Sequence, residues 1–323
     1  MFGKCSETIK VVSSFRTQHV IRLTMGKIYV KFTGGFGNQL FQYALCLELI
    51  ERYSVRCIAI HLDRPGESQF LTSSREAFVL ISSLNKGLNG LIFSKLSMEK
   101  FFDRAMYWSK VTLPLQRKKL IRLEFNEPFD TDFLRKIAQS IKTKKNILLE
   151  GYFQSPQIIP NGFKRVIEVL SSATQEIKYK NLKNSDVVLH VRRGDYITAG
   201  FVQNWGVLSN RFYEKILRDC NANDKVSIVT MDEEDVKILM EKFTFARLIS
   251  GKNLNWWESF VYMTYSKELF ASNSTFAFWA GHVAMQKGSR VTFPRPWTMN
   301  HKGWPRFYEE NYIESDFFYE GEI

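Results

Sequence analysis

The fold is decided by the stretch Asp186–Tyr196, which reads DVVLHVRRGDY. Its β-branched run Val187–Leu189 is typical of a buried strand, and two arginines follow that run. In open α/β sheets, ligands bind outside the carboxyl ends of the strands. Arginine suits phosphate because its planar, permanently charged fork donates two parallel hydrogen bonds. The stretch therefore predicts an anion site for a phosphorylated substrate, or else a strand that ends in two solvated arginines.

The composition is that of a globular protein with a basic surface. The chain has 323 residues, of which 45% are hydrophobic and 24% charged, so two domains are more expected than one. Its formal net charge of +12 favours an anionic partner, such as nucleic acid, a phospholipid surface or a nucleotide-type substrate. Nucleic-acid binding is disfavoured, because the basic residues are dispersed instead of alternating with aromatic residues in one stripe.

The sequence predicts a cytoplasmic protein. No stretch approaches the roughly 18 apolar residues of a transmembrane helix, and residues 1–24 lack the apolar region of a signal peptide, so they are interpreted as an N-terminal extension. The cysteines are expected to be reduced thiols, and no carboxylate or histidine cluster has the spacing of metal ligands, so no metal is expected. They are Cys5, Cys46, Cys57 and Cys220.

Strands and helices alternate along the chain, which predicts an α/β fold. A strand at 27–32, a glycine-rich turn, a helix at 39–53 capped by Asn38 and a strand at 55–62 form a βαβ unit. Residues 63–125 are expected to be irregular. The strand–helix pattern restarts at Val187 with a helix at 210–219 and continues to Phe293. We therefore predict two Rossmann-like domains, residues 25–180 and 181–323, that face each other across a cleft.

Two further segments place polar groups at the start of a helix. Gly34–Gln39 reads GGFGNQ, and glycines there allow the close backbone approach that an anion at a helix N-terminus requires. It lacks the Lys-Ser/Thr step of a Walker loop, so a tight structural turn is the alternative. Ser272–Thr275 reads SNST before an apolar helix, where an ordinary helix cap is the alternative to an anion site.

Together these segments resemble the α-1,2-fucosyltransferase family, glycosyltransferase family 11. The motifs that carry the resemblance are GGFGNQLFQYA at 34–44, HVRRGDY at 190–196 and SNSTFAFWAG at 272–281. EGYFQS at 150–155 and PRPW at 294–297 extend it from Lys27 to Trp297 in the order of the family. The resemblance implies a GT-B fold and transfer of fucose, with inversion and without a metal or other cofactor, from GDP-β-L-fucose to the 2-hydroxyl of a terminal β-galactoside in a glycan.

The same resemblance implies roles for single residues on the donor side. Arg192 would hold the donor diphosphate and Arg193 would assist it. Ser274 and Thr275 would cradle the β-phosphate from the opposite side, and Asn273 would also contribute to donor binding.

Gly37 and Asn38 would approach the diphosphate and the acceptor hydroxyl. Relatives usually carry a Ser-Asp-Asp step where this chain has Thr230-Met231-Asp232, which leaves the nucleotide contacts of Asp232 open.

The base that deprotonates the acceptor is left open by the residues. Asp195 is interpreted first as the orienting partner of Arg193, and Asp195 and Glu150 are both candidates for the base. Late proton transfer to a phosphate oxygen is the third route. A different nucleotide-sugar transferase on the same scaffold is the alternative function. The basic surface also predicts peripheral contact with an anionic membrane.

Overall fold

The computed structural model describes residues 27–63, 69–85, 89–97, 120–124, 131–142, 146–175, 186–197, 205–220, 224–231, 233–299 and 312–317. The chain divides into two compact units. The first contains residues 1–34 and 42–162, and the second contains 35–41 and 163–323. The predicted extension at 1–24 and the predicted boundary at 180–181 both lie outside the described residues.

The first unit is built on a parallel sheet of five strands in the order β3-β2-β1-β5-β4. The strands are β1 (Ile28–Lys31), β2 (Cys57–Asp63), β3 (Leu91–Ser97), β4 (Leu120–Glu124) and β5 (Asn146–Glu150). The helices are α1 (Phe36–Tyr53), α2 (Gln69–Leu84), α3 (Thr131–Lys142) and α4 (Pro160–Gln175). Residues 36–41 of α1 and residues 163–175, which are most of α4, belong to the second unit.

The second unit is built on a parallel sheet of six strands in the order β11-β10-β9-β6-β7-β8. The strands are β6 (Val187–His190), β7 (Val226–Val229), β8 (Arg247–Ile249), β9 (Glu268–Phe270), β10 (Arg290–Arg295) and β11 (Tyr312–Glu314). The helices are α5 (Asn210–Asp219), α6 (Lys237–Lys242), α7 (Trp256–Met263) and α8 (Thr275–Gln286).

The strand order of the second sheet defines where a ligand binds. From the β8 edge, the strands follow the 3-2-1-4-5-6 order of the dinucleotide-binding fold, with β6 as the first strand and β9 as the fourth. The chain turns to opposite sides after these two neighbouring strands, which opens a crevice at their carboxyl ends. The first sheet has the corresponding switch point between β1 and β5. Each unit therefore has a crevice position that its own topology defines.

The predicted α/β class of GT-B type, with one Rossmann-like parallel sheet in each unit, is confirmed. The predicted helix at 210–219 is also confirmed. The expectation that residues 63–125 are irregular is wrong, because α2, β3 and β4 lie within them. Asn38 does not cap α1 either, since the helix begins two residues earlier, at Phe36. Phe36 packs against the rings of Trp256 and Phe260, and these contacts stabilise the additional residues at the start of the helix.

Aromatic side chains fill the cores of both units. In the first unit Phe32, Phe78 and Phe93 contact one another with ring centroids 5.4 to 5.9 Å apart. In the second unit Phe212 and Ile216 on α5 pack against the sheet residues Val187 and Leu189. Edge-to-face ring contacts of this kind add to the burial of apolar area. Among the described residues, no helix is both long and apolar enough to cross a membrane.

A buried carboxylate organises the first unit. Glu48 on α1 has no exposed surface and forms an ion pair of 2.7 Å with Arg52. Its second carboxylate oxygen accepts hydrogen bonds from the backbone N–H groups of Asn161 (2.8 Å) and Gly162 (3.0 Å). These two N–H groups belong to the first turn of α4, where helical donors lack backbone partners. Glu48 therefore caps α4 from another helix, and the negative charge suits the positive end of the α4 dipole.

We expect Glu48→Ala to lower the free energy of unfolding by at least about 2 kcal/mol, because two buried N–H donors lose their acceptor. Urea unfolding followed by circular dichroism measures the loss. Glu51→Gln, an exposed position on the same helix, is the matched control and should leave stability within about 0.5 kcal/mol. Equal stability of the two variants would contradict the capping role.

Candidate functional site

The carboxyl ends of β6 and β9 are joined by a buried hydrogen bond. His190, the last residue of β6, has its Nδ1 atom 2.7 Å from the Ser272 hydroxyl oxygen, and both side chains are buried. Burial, helped by the positive charge of Arg192, lowers the pKa of His190 to about 3. The imidazole is therefore neutral at physiological pH. It joins the two strand ends at the switch point instead of contributing charge.

Arg193 is held inside the protein. Its side chain is buried, and its guanidinium donates to the backbone oxygen of Asp235 (2.7 Å) and to Oδ1 of Asn210 (2.6 Å). The guanidinium carbon lies 6.0 Å from the centre of the Tyr213 ring, and burial lowers the pKa of Arg193. This arginine ties the segment after β6 to the start of α5 and to the segment after β7.

Arg192 lies one residue closer to the strand end and is only half-buried. The phenol of Tyr213 is completely surrounded by protein, and burial raises its pKa. The positive charge of the nearby Arg193 opposes that rise of the pKa in part. The two arginines thus differ in surroundings. The Arg193 side chain is buried and donates to protein groups, while Arg192 is partly exposed.

The segment after β9 presents the start of α8. Ser274 is the N-cap residue of this helix, and its hydroxyl accepts a hydrogen bond of 3.3 Å from the Phe276 N–H. Asn273 is buried, and its amide donates to the backbone oxygens of Gly206 (3.0 Å) and Trp205 (3.4 Å). Gly206 adopts a φ of +75°, and a Cβ atom there would lie 2.6 Å from the Phe317 ring. Asn273 therefore anchors a tightly packed loop to the start of α8.

The glycine-rich turn lies against this same helix start. A Cβ atom on Gly37 would lie 2.4 Å from the carbonyl carbon of Thr275 and 2.6 Å from the Phe276 nitrogen. Real Cβ atoms do not approach backbone so closely, so only glycine fits. The indole N–H of Trp279 donates 2.9 Å to the Gly37 oxygen, and the Thr275 hydroxyl donates 3.0 Å to Oδ1 of Asn38. The first turns of α1 and α8 are thus in direct backbone contact within the second unit.

Aromatic rings hold the two helix starts in place. Phe36, the first residue of α1, packs against Trp256, Phe260 and Phe276, with ring centroids 5.0 to 6.4 Å apart. Phe41, one and a half turns later, contacts Trp279 at 4.9 Å. Because these contacts flank Gly37 on both sides, the close approach of α1 and α8 is supported by a buried apolar cluster.

The arrangement suits an anion. Helix N-termini carry partial positive charge and N–H groups that lack partners within the helix. Two such termini, α1 and α8, meet at the carboxyl end of β9, and Arg192 follows the neighbouring strand β6. Phosphate groups bind at helix N-termini for these reasons, and arginine adds a full charge and a forked donor.

The structure brings most of the predicted site residues into the second unit: Gly37, Asn38, Arg192, Arg193, Asn273, Ser274 and Thr275. Asp232 lies outside the described residues, and the side chain of Asp195 is likewise outside the described part of the chain. The other candidate base, Glu150, lies in the first unit, where it pairs with Lys31 at 2.9 Å.

Sequence reasoning missed the residues that position Arg193. Asn210 and Asp235 follow it by 17 and 42 residues, and no motif connects them to it. The available signal was general: an arginine directly after a buried strand requires acceptors if its side chain turns inward.

Comparison with known proteins agrees with this geometry. Residues 27–314 match the sequence model of Glycosyl transferase family 11. The O-antigen biosynthesis glycosyltransferase WbnK of Escherichia coli is 25% identical over 295 residues, which cover 84% of this chain and 94% of WbnK. An alpha-1,2-colitosyltransferase of E. coli is 23% identical over 294 residues, which cover 84% of this chain and 93% of that protein.

Among solved structures, the E. coli heptosyltransferase WaaC with ADP aligns with a TM-score of 0.45 at 9% identity, covering 89% of this chain and 92% of WaaC. The family match covers nearly the whole described part of the chain and includes all three motifs that carried the resemblance, which is therefore confirmed. The chain belongs to glycosyl transferase family 11.

Proposed function

We propose that this glycosyltransferase is a galactoside α-1,2-fucosyltransferase. It moves L-fucose from GDP-β-L-fucose to the 2-hydroxyl of a terminal β-galactoside in a glycan, with inversion at the anomeric carbon. The donor diphosphate is held by Arg192 and by the paired helix starts of α1 and α8. The reaction needs no metal, because these groups supply the positive charge that the departing diphosphate requires.

The observation that carries the proposal is the contact between Gly37 and the Thr275–Phe276 backbone. Cleavage of the bond between the fucosyl C1 atom and the phosphate oxygen leaves the electron pair on GDP. Oriented N–H groups and a guanidinium that face this charge would stabilise the transition state more than the ground state. Of the two arginines, Arg192 is assigned to the diphosphate, since the Arg193 guanidinium already donates to Asp235 and Asn210.

The alternative is a family member that uses another sugar donor. The E. coli relative named as an alpha-1,2-colitosyltransferase favours this second candidate, because its name specifies the same linkage with a colitosyl group. Both candidates share the diphosphate site and differ in contacts to the sugar ring.

The activity is tested by incubating the purified protein and EDTA with GDP-fucose or GDP-colitose and a panel of β-galactosides. We expect GDP release above a heat-killed control with GDP-fucose, and an α-1,2-linked product by NMR. Release with GDP-colitose alone would establish the second candidate. A strict requirement for Mg²⁺ or Mn²⁺ would contradict the metal-free reaction.

Arg192→Ala should lower kcat by about 10²- to 10³-fold, the usual effect of removing one group that stabilises developing negative charge. Steady-state kinetics with GDP-fucose measure the loss. Arg211→Ala, an exposed arginine on α5 of the same unit, is the matched control and should retain nearly full activity. A kcat for Arg192→Ala within threefold of the unaltered enzyme would place the diphosphate elsewhere.

Gly37→Ala should weaken GDP binding and lower stability by about 1–3 kcal/mol, since the new methyl group forces the backbones of α1 and α8 apart. Calorimetric titration with GDP and thermal unfolding measure the two effects. Gly35→Ala is the matched control, because a Cβ atom there meets no atom within 4 Å. If both variants bound GDP equally well, the close contact would have no part in donor binding.

A further inference from the structure

The helices α5 and α6 form one outer surface of the second unit. They follow the neighbouring strands β6 and β7, and the ammonium nitrogen of Lys242 on α6 lies 2.6 Å from a carboxylate oxygen of Glu214 on α5. One face of α5 packs Phe212 and Ile216 against the sheet. The polar residues on its other face are directed away from the sheet, beside those of α6.

Two large apolar side chains of this surface are exposed. Ile238 is 57% exposed and Phe245 is 47% exposed. Ile238 lies one helical turn before Lys242 on the same side of α6. The Phe245 ring lies 6.0 Å from the ring of Phe243, and the Lys242 ammonium lies at the same distance from that second ring. The two exposed apolar groups therefore lie on either side of one lysine and form a patch.

The charges around this patch are mostly positive. Within residues 211–219 and 234–247, six basic side chains are exposed, against three exposed carboxylates. Glu214 is more enclosed and pairs with Lys242 at 2.6 Å and with Arg218 at 3.0 Å. The surface therefore presents an excess of positive charge to solvent. The exposed basic residues are Arg211, Lys215, Arg218, Lys237, Lys242 and Arg247.

The part of this surface on α5 is concave. Arg211, Glu214, Lys215, Arg218 and Asp219 line an open depression of about 480 Å³. Three of these five side chains are cationic, and arginine donates paired hydrogen bonds to phosphate oxygens. The depression thus offers room and positive charge for a phosphate group.

The surface extends away from the candidate donor site. Asn210, the first residue of α5, contacts Arg193 at the carboxyl edge of the sheet. The helix α6 lies between the carboxyl end of β7 and the amino end of β8, so Lys242 and Phe245 at its end lie toward the opposite edge. A large partner on this surface leaves the carboxyl edge of the second sheet accessible.

A membrane with anionic lipids matches this combination of groups. Apolar side chains enter the boundary between headgroups and acyl chains, while the lysine and arginine side chains around them contact lipid phosphates. A nucleic acid uses positive charge and aromatic stacking, and it gains nothing from the aliphatic side chain of Ile238. The patch of Ile238 and Phe245 within a basic surface therefore favours the lipid interface.

We propose that the exposed face of α5 and α6 is the surface by which this protein docks on an anionic phospholipid membrane. Ile238 and Phe245 enter the interface, and the depression on α5 receives a lipid phosphate. Lys215 and Lys237 contact neighbouring headgroups. This role goes beyond the proposed glycosyl transfer and does not depend on it.

Flotation of the purified protein with vesicles tests the proposal. One set of vesicles contains phosphatidylglycerol and phosphatidylcholine in equal parts, and the other contains phosphatidylcholine alone. We expect binding to the anionic vesicles that high salt weakens, and at least about 10-fold weaker partition onto phosphatidylcholine.

Two paired substitutions separate the apolar and the charged contributions. Ile238→Ser with Phe245→Ser should lower partition onto the anionic vesicles by about 10-fold or more, since two apolar groups no longer leave water. Lys215→Ala with Lys237→Ala should lower it by a similar factor and should also reduce its dependence on salt.

Matched controls test whether the effect belongs to this surface. Val79→Ser with Ile92→Ser removes two apolar side chains of the first unit that are each 53% exposed. Lys136→Ala with Lys164→Ala removes two exposed lysines on α3 and α4. Both control pairs should partition onto anionic vesicles like the unaltered protein.

The absence of vesicle binding at low salt would overturn the proposal, as would an equal loss of binding in the control pairs. Binding of a fluorescent single-stranded oligonucleotide in place of the vesicles would assign the surface to another class of partner and would overturn it as well. Flotation requires no GDP-fucose, so its result is independent of whether the protein transfers fucose.

Discussion

The contact that the candidate donor site depends on is the approach of Gly37 to the backbone of Thr275 and Phe276. It brings the positive ends of two helices together, which costs electrostatic energy in the absence of an anion. Trp279, Phe36 and Phe41 offset that cost with buried ring contacts and with the hydrogen bond to the Gly37 oxygen. The protein thus holds the N–H donors of two helix N-termini close together. A bound anion would lower the electrostatic repulsion between them. Such preorganisation is worth most where charge develops during a reaction.

Residues 35–41 group with the second unit, although β1 before them and most of α1 after them group with the first. The segment that makes the contact is therefore continuous in sequence with both units. Gln42, one residue beyond this segment, binds the loops that follow β1 and β5 within the first unit.

The sequence predicted the fold wherever local pattern and tertiary packing agree. The helix at 210–219 has a serine cap and an apolar face, and both the pattern and the buried residues Phe212 and Ile216 support it. In residues 63–125 local pattern and tertiary packing do not agree. The helix α2 contains several serine and threonine residues, which favour helices weakly, and it is stabilised by the packing of Ala77, Phe78 and Ile81.

In the candidate site, the types of the residues could be predicted from the sequence, but their hydrogen-bond partners could not. Thr275 donates to Asn38 across 237 positions, and Arg193 is held by Asn210 and Asp235, which follow it by 17 and 42 residues.

The two switch points have similar topology and different charge. In each sheet the first strand and a later neighbour end side by side, so backbone topology alone provides two similar crevice positions. The residues at the strand ends then set the charge of each position. After β6 the chain supplies two arginines, and the histidine that ends the strand is buried and neutral. After β1 and β5 it supplies a lysine and a glutamate that neutralise each other. The two edges therefore share a topology but differ in the charges that they present.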